Sequence, residues 1–196
     1  MQTLHRPNIA FAGLTAAGKT THAKILAQQL GYEWISATAL LLDILGETAN
    51  PEKVWFTSYE RIQKAREDDG VDRELERRIT ELADSKDGLV LDTWAMAYLY
   101  EGPLLRLWIE SDEDSRVCKS YVSQGPEKRF ELDACRALLH EKDTTVRQQF
   151  LRRLHFDLFT DMSRYDAVLV NTDLIPEPTD QCAQTGIRIA ERYTCA

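Results

Sequence analysis

One stretch of eight residues limits what this chain can fold into more than any other: Gly13-Leu14-Thr15-Ala16-Ala17-Gly18-Lys19-Thr20. It matches G-x-x-x-x-G-K-[ST] at every specified position, with an apolar run leading in and a helical pattern leading out. Each part has a physical reason. Gly13 and Gly18 let the backbone curl, so that successive N–H groups from Thr15, Ala16 and Ala17 through Thr21 can converge on phosphate oxygens. A helix that begins near Gly18 adds its positive end to the same spot. Lys19 is long enough to reach the β- and γ-phosphates, and Thr20 offers a hydroxyl to Mg²⁺. The alternative, a chance glycine-rich turn, does not explain the flanking elements.

The period of the apolar residues changes repeatedly along the rest of the chain. Residues 8–12 read as a short buried strand between Pro7 and Gly13, and 19–30 as a helix closed by Gly31. A second strand is expected over 32–36. A mostly helical stretch follows over 37–86, with breaks near Gly46, Asn50-Pro51 and Gly70. Further strands are expected over 88–92, 104–109 and 166–170. Continuous apolar strands alternating with helices indicate an α/β fold with a parallel sheet covered on both faces. Ser111, with Asp114 three residues on, fits a helix-opening capping box. Neither Gly nor Pro occurs between Pro126 and Pro176, so 131–159 reads as mostly one long helix. No internal repeat or linker interrupts 1–196, which reads as one domain with an inserted lid.

Charge narrows the partners. The chain has 196 residues and a net charge of −8, from 24 basic and 32 acidic residues, which disfavours nucleic acid and anionic lipid. No apolar run is long enough to span a membrane or to read as a secretory signal. Cys118, Cys135, Cys182 and Cys195 are scattered, as are the four histidines, so zinc-type ligand pairs are missing and reduced thiols in the cytoplasm are expected.

Against that acidic average stands a basic concentration. Lys128, Arg129, Arg136, Lys142, Arg147, Arg152 and Arg153 place 7 of the 24 basic residues within 26 positions. Phosphoryl transfer spreads negative charge over the equatorial oxygens, and mobile cations closing over it are the expected device. A solvated helix face is the other reading, preferred for Arg152 and Arg153. Arg136 and Arg147 share a helix face, and Asp143, four residues before Arg147, is placed to orient its guanidinium. Lys142 lies about 140° from Arg147 on an unbroken helix, so both serve one ligand only if the helix is interrupted, for example at Thr144-Thr145. Asp92 ends the third expected strand, where it either holds Mg²⁺ or caps a loop.

In these features the chain resembles the nucleoside monophosphate kinases with a phosphate-binding P-loop, especially the short archaeal cytidylate kinases. The likeness runs through the loop, Tyr32-Glu33-Trp34-Ile35-Ser36-Ala37, Val71-Asp72-Arg73-Glu74-Leu75, Leu89-Val90-Leu91-Asp92 and Tyr165-Asp166-Ala167-Val168-Leu169-Val170-Asn171-Thr172. It implies the three-layer P-loop NTPase fold: a five-stranded parallel sheet, a helical acceptor-binding segment over 37–86 and a lid over 125–147. It also implies that Arg116 contacts the nucleotide and that Asn171 and Asp173 lie beside the adenine. Arg129, Lys142 and Arg147 become the lid cations, with Lys142-Asp143 and Arg147 falling on the family's Arg-acid-Arg lid motif. Thr20 and Asp92 become the Mg²⁺ ligands.

The departures fall on the acceptor side. Where the family carries Ser-x-Gly-x-x-Phe-Arg, this chain has Ser36-Ala37-Thr38-Ala39-Leu40-Leu41-Leu42, so an arginine has become Leu42. Where the family often carries Asp-Gly-Arg, it has Asp92-Thr93-Trp94. A further Arg of the helix after the fourth strand corresponds to Lys119. Loss of two arginines removes bidentate phosphate recognition. Trp94, Trp55, Tyr59 and Leu42 form either an acceptor pocket or ordinary core, and Arg61 and Arg73 are either replacement cations or surface ion pairs. Three readings stay open: an ATP-dependent kinase of CMP-like monophosphates, a kinase of the same fold acting on a hydroxyl oriented by Asp72 or Asp92, and a non-catalytic nucleotide-binding module. ATP and a small acceptor are the expected partners of a monomer or homodimer.

Overall fold

The computed structural model of the chain describes residues 6–125 and 129–172. Strand β1 (Asn8–Gly13) is buried at every position and runs into the glycine-rich loop. Helix α1 (Lys19–Leu30) follows, and Gly31 ends it with φ +63, a left-handed conformation that glycine adopts without a Cβ penalty. Next come β2 (Glu33–Ser36), α2 (Ala37–Ile44), α3 (Val54–Thr57), α4 (Tyr59–Ala65) and α5 (Asp69–Ser85). Then β3 (Leu89–Asp92), α6 (Met96–Leu99), β4 (Leu104–Glu110), α7 (Glu113–Ser123), α8 (Leu132–Leu154) and β5 (Ala167–Val170) complete the order.

The five strands form one sheet in the order β2-β3-β1-β4-β5, a doubly wound α/β arrangement with β1 in the middle. β3 pairs parallel with β1, aligning Phe11 with Asp92, and parallel with β2, aligning Ser36 with Asp92. Asp92 therefore ends a strand flanked on both sides, at the carboxyl edge where open parallel sheets bind ligands. β5, at the opposite edge, departs from the buried pattern: all four of its residues are exposed.

The chain divides into two compact units. One comprises, among the described residues, 6–12, 19–108 and 161–167. Its helical stretch has a small core of Leu41, Leu42, Val54 and Ile62, against which Trp55, Val71 and Leu75 pack. Each such side chain taken fully from water contributes about 1.5–3 kcal/mol. The other unit comprises, among the described residues, 13–18, 109–125, 129–160 and 168–172, and there Val117, Cys135 and Leu139 join α7 to α8.

Three sequence expectations change. Gly70 does not break a helix but sits in the first turn of α5, where its N–H donates to the capping Asp68 carboxylate at 2.9 Å. Asp112, not Ser111, caps α7, accepting from the Ser115 N–H at 2.8 Å. Ser111 is drawn away because its hydroxyl is buried between Lys119 Nζ, 3.0 Å, and the Asn171 carbonyl, 3.3 Å. α8 runs unbroken through Thr144-Thr145 and stops at Leu154 rather than near 159, with His155 in the left-handed region at φ 60. Asp157 continues that turn by accepting the Phe159 N–H at 3.1 Å.

Candidate active site

The glycine-rich loop has the shape the motif requires. Gly13 has φ +148 and Gly18 φ +105, and Ala16 between them is left-handed at φ 60. A Cβ on Gly13 would stand 2.5 Å from the Ile109 carbonyl oxygen, so backbone contact as well as dihedral angle demands glycine there. The Ala17 N–H donates to the Leu14 carbonyl at 3.2 Å, closing the turn.

Within the same unit, side chains from three later segments grip this loop. Asn171, 3% exposed, donates Nδ2 to the Ala17 carbonyl at 2.7 Å. Arg116, buried on α7, donates to the Thr15 carbonyl at 3.1 Å and to the Asp143 carboxylate at 2.7 Å. Asp143 in turn accepts the Thr15 N–H at 3.0 Å. Both polar groups of the Thr15 peptide are thus held, one by a cation from α7 and one by an anion from α8. Arg116 and Asn171, implied only by resemblance, fall beside the loop. Asp143 does not orient Arg147 as its spacing suggested, because it is spent on Thr15 and Arg116.

In the other unit the loop's continuation opens α1. Lys19 is 8% exposed, and its Nζ lies 4.9 Å from the centroid of the Trp94 ring. Thr20 Oγ1 donates to Asp92 Oδ2 at 2.6 Å, tying the first turn of α1 to the end of β3. A hydroxyl and a carboxylate side by side are hard oxygen donors. They suit Mg²⁺, which takes one or two protein oxygens, keeps waters and shares substrate phosphates. No cluster of three or more His, Cys, Asp or Glu able to hold a metal occurs among the described residues. Thr21 is exposed.

The cations expected of a lid are dispersed. Arg129 is exposed and its backbone N–H donates to Gln124 Oε1 at 2.9 Å. Lys142 is buried at 6% exposure, whereas Arg147 is exposed and bonds Asp157 through Nε at 3.0 Å and through a second nitrogen. With α8 unbroken, these two cations leave the helix in different directions, so the condition under which both would serve one ligand is not met. Arg136 reaches back to Glu113 and Asp114 on α7. Asp173 lies outside the described residues.

On the acceptor side, Ser36 caps α2 by accepting the Ala39 N–H at 3.2 Å, and Thr38 is half-buried on that helix. Leu42 belongs to the small core. Tyr59 stands with its ring centroid 6.3 Å from that of Trp55. Asp72 is 2% exposed and accepts from Arg66 Nε at 2.8 Å, while Arg73 is exposed. Arg61 is tied to Glu47. Arg66 and Asp157 were missed by sequence reasoning, since nothing in linear spacing marks their partners.

Burial pushes the Asp157 carboxyl up, but the Arg147 guanidinium and the Phe159 N–H outweigh it and leave it below the ordinary carboxylate value. The pair's contribution is therefore present above the ordinary carboxylate range and is lost as pH falls through the lowered value. Being half exposed, it contributes at most about 1 kcal/mol. Arg147→Gln should move the Asp157 titration upward in an NMR carboxyl titration. An unchanged midpoint would show that Arg147 does not set it.

Comparison with known proteins bears on the whole arrangement. The model of the cytidylate kinase-like family matches residues 8–173. Cytidylate kinase of Natronomonas pharaonis is 26% identical over 180 residues, covering 91% of this chain and 88% of that one. Cytidylate kinase of Haloarcula marismortui is 29% identical over 165 residues, covering 84% and 80%. A solved shikimate kinase from Bacteroides thetaiotaomicron superimposes with a TM-score of 0.56 at 16% identity, over 96% of this chain and 98% of that one. At that identity the likeness is one of fold.

Proposed function

The chain is a phosphotransferase belonging to the cytidylate kinase-like family, and on that premise we propose that it moves the γ-phosphoryl group of ATP to a nucleoside monophosphate, CMP or dCMP being favoured. The observation that carries this reading is the complete loop motif running into α1, whose Thr20 bonds Asp92 at 2.6 Å. Mg²⁺, held by Thr20 and Asp92, would supply charge neutralisation at the phosphates. The loop amides and Lys19 bind the β- and γ-phosphates, and Arg116, Asn171 and Asp173 serve the nucleotide. Arg129 and one of Lys142 and Arg147 of the 125–147 lid balance charge on the transferring group, since an unbroken α8 does not aim both at one ligand. The bond from the β–γ bridging oxygen to phosphorus breaks as an acceptor oxygen bonds in line. A monophosphate oxygen is already anionic, so no general base is required.

Ser36, Thr38, Tyr59, Asp72, Arg73 and Asp92 are the acceptor-side residues of this reading, with Leu42 in the small core and Trp94 against Lys19. The enzyme works as a cytoplasmic monomer or homodimer on small molecules, without nucleic acid or membrane. No helix among the described residues is long and apolar enough to cross a membrane.

A specific observation favours a second acceptor class. In the segment 37–86 the arginines are committed to internal carboxylates: Arg61 to Glu47, Arg66 to Asp72, Arg77 to Glu74 and Glu81, and Arg78 to Glu74 and Asp43. Arg73 alone of the five lacks such a pair. A hydroxyl acceptor, oriented by Asp92, needs no cation for a phosphate of its own. A coupled ADP-release screen over CMP, dCMP, UMP, AMP and small alcohols separates the two. Turnover with CMP or dCMP is expected, whereas turnover with an alcohol and none with nucleotides would replace the first reading by the second.

A further inference from the structure

We propose that Trp94 is a positioning residue for the phosphate-binding lysine, so that it belongs to the ATP side of the site rather than the acceptor side. The inference rests on the ATP-binding half of the function proposed above. Lys19 Nζ sits 4.9 Å from the indole centroid, inside the roughly 6 Å range of a cation–π contact, and tryptophan is the best aromatic partner. Another lysine held this way is Lys24, over Trp34 at 4.7 Å, whose side chain is 39% exposed. Lys19 is 8% exposed, and cation–π attraction strengthens when the cation is desolvated.

The platform is also rigid. Thr93, next to Trp94, donates its N–H to the Phe11 carbonyl at 3.2 Å and accepts the Met96 N–H on Oγ1 at 3.5 Å. Ala95, on the other side, accepts the N–H groups of Tyr98 and Leu99 at 2.8 and 2.9 Å. The Thr20–Asp92 bond fixes the partner element, since Lys19 precedes Thr20 by one residue and Trp94 follows Asp92 by two. The indole face thereby sets where the ammonium waits before a phosphate arrives, and preorganisation lowers the cost of binding it.

The test uses the full chain with Trp94→Leu, Trp94→Phe and Lys19→Met, reading affinity for MgATP by calorimetry and the kcat and KM for ATP. Trp94→Leu should weaken ATP binding about tenfold, and Trp94→Phe, which keeps an aromatic face, should recover most of that loss. In a Lys19→Met background, Trp94→Leu should have almost no further effect, because the group it positions is gone. Unchanged ATP affinity in Trp94→Leu, an equal loss in Trp94→Phe, or an undiminished loss in the Lys19→Met background would each overturn the proposal. So would a change confined to the acceptor KM. ATP affinity is read without any acceptor, so failure to phosphorylate CMP would count against the function proposed above and leave this inference standing.

Discussion

Lys19→Met should lower kcat/KM for ATP by about two to three orders of magnitude, the scale found when one preorganised stabiliser of transition-state charge is removed. Lys19 is the buried cation at the head of α1, one residue before the Thr20 hydroxyl that meets Asp92. Methionine keeps the length and apolar stem and deletes the charge. Since an ammonium buried at 8% exposure costs desolvation, the fold should be unharmed or slightly stabilised by its loss. Kinetics and a melting curve on the same preparation check both halves. A large fall in melting temperature alongside the lost activity would mean that Lys19 acts through the fold, and near-normal kcat/KM would remove it from the phosphate site.

Asp72→Ala should have the largest effect on stability, about 3–5 kcal/mol, because it leaves the Arg66 guanidinium buried beside a void. The two side chains are 10% and 3% exposed and bond at 2.8 Å. For a domain whose total stability is about 5–15 kcal/mol, that is a large share. It corresponds to a fall in Tm of about 6–20 °C for a chain of this size. Replacing both partners by Leu should cost far less than removing Asp72 alone, since no unpaired charge remains. Chemical denaturation of the two variants decides it: a double variant as unstable as Asp72→Ala would assign the effect to packing instead.

The parts of the fold that were legible in the sequence are those set by local chemistry. The helix over 19–30 could be read at both ends because a loop motif starts it and a left-handed glycine stops it. The buried strands β1 and β3 announced themselves as continuous apolar runs. What was not legible depends on partners far along the chain. Ser111 and Asp112 are both competent caps, and the choice between them is made by Lys119 and Asn171, which claim the serine. Asp143 stands at the right spacing for Arg147, yet it is taken by the Thr15 N–H, 128 residues away. Arg147 then finds Asp157, a partner brought within reach by the turn at His155 that no periodicity foretells. For the candidate site, the glycine-rich loop with Lys19 and Thr20 stood out because the proposed chemistry needs fixed residue types at fixed spacing, and Asp92 because it ends an apolar strand, where Thr20 bonds it. The acceptor side was not, because Leu42 enters the core and Arg61, Arg66 and Arg78 are taken into ion pairs with Glu47, Asp72 and Asp43 that spacing alone does not reveal.

The most direct test of phosphoryl transfer to a nucleoside monophosphate is to identify the product. Incubated with MgATP and CMP, the protein should give equal amounts of ADP and CDP by phosphorus NMR, and the Lys19→Met variant should give neither on the same timescale. ATP consumption with no nucleoside diphosphate formed from CMP, dCMP, UMP or AMP, and a phosphate ester appearing on an alcohol instead, would contradict it.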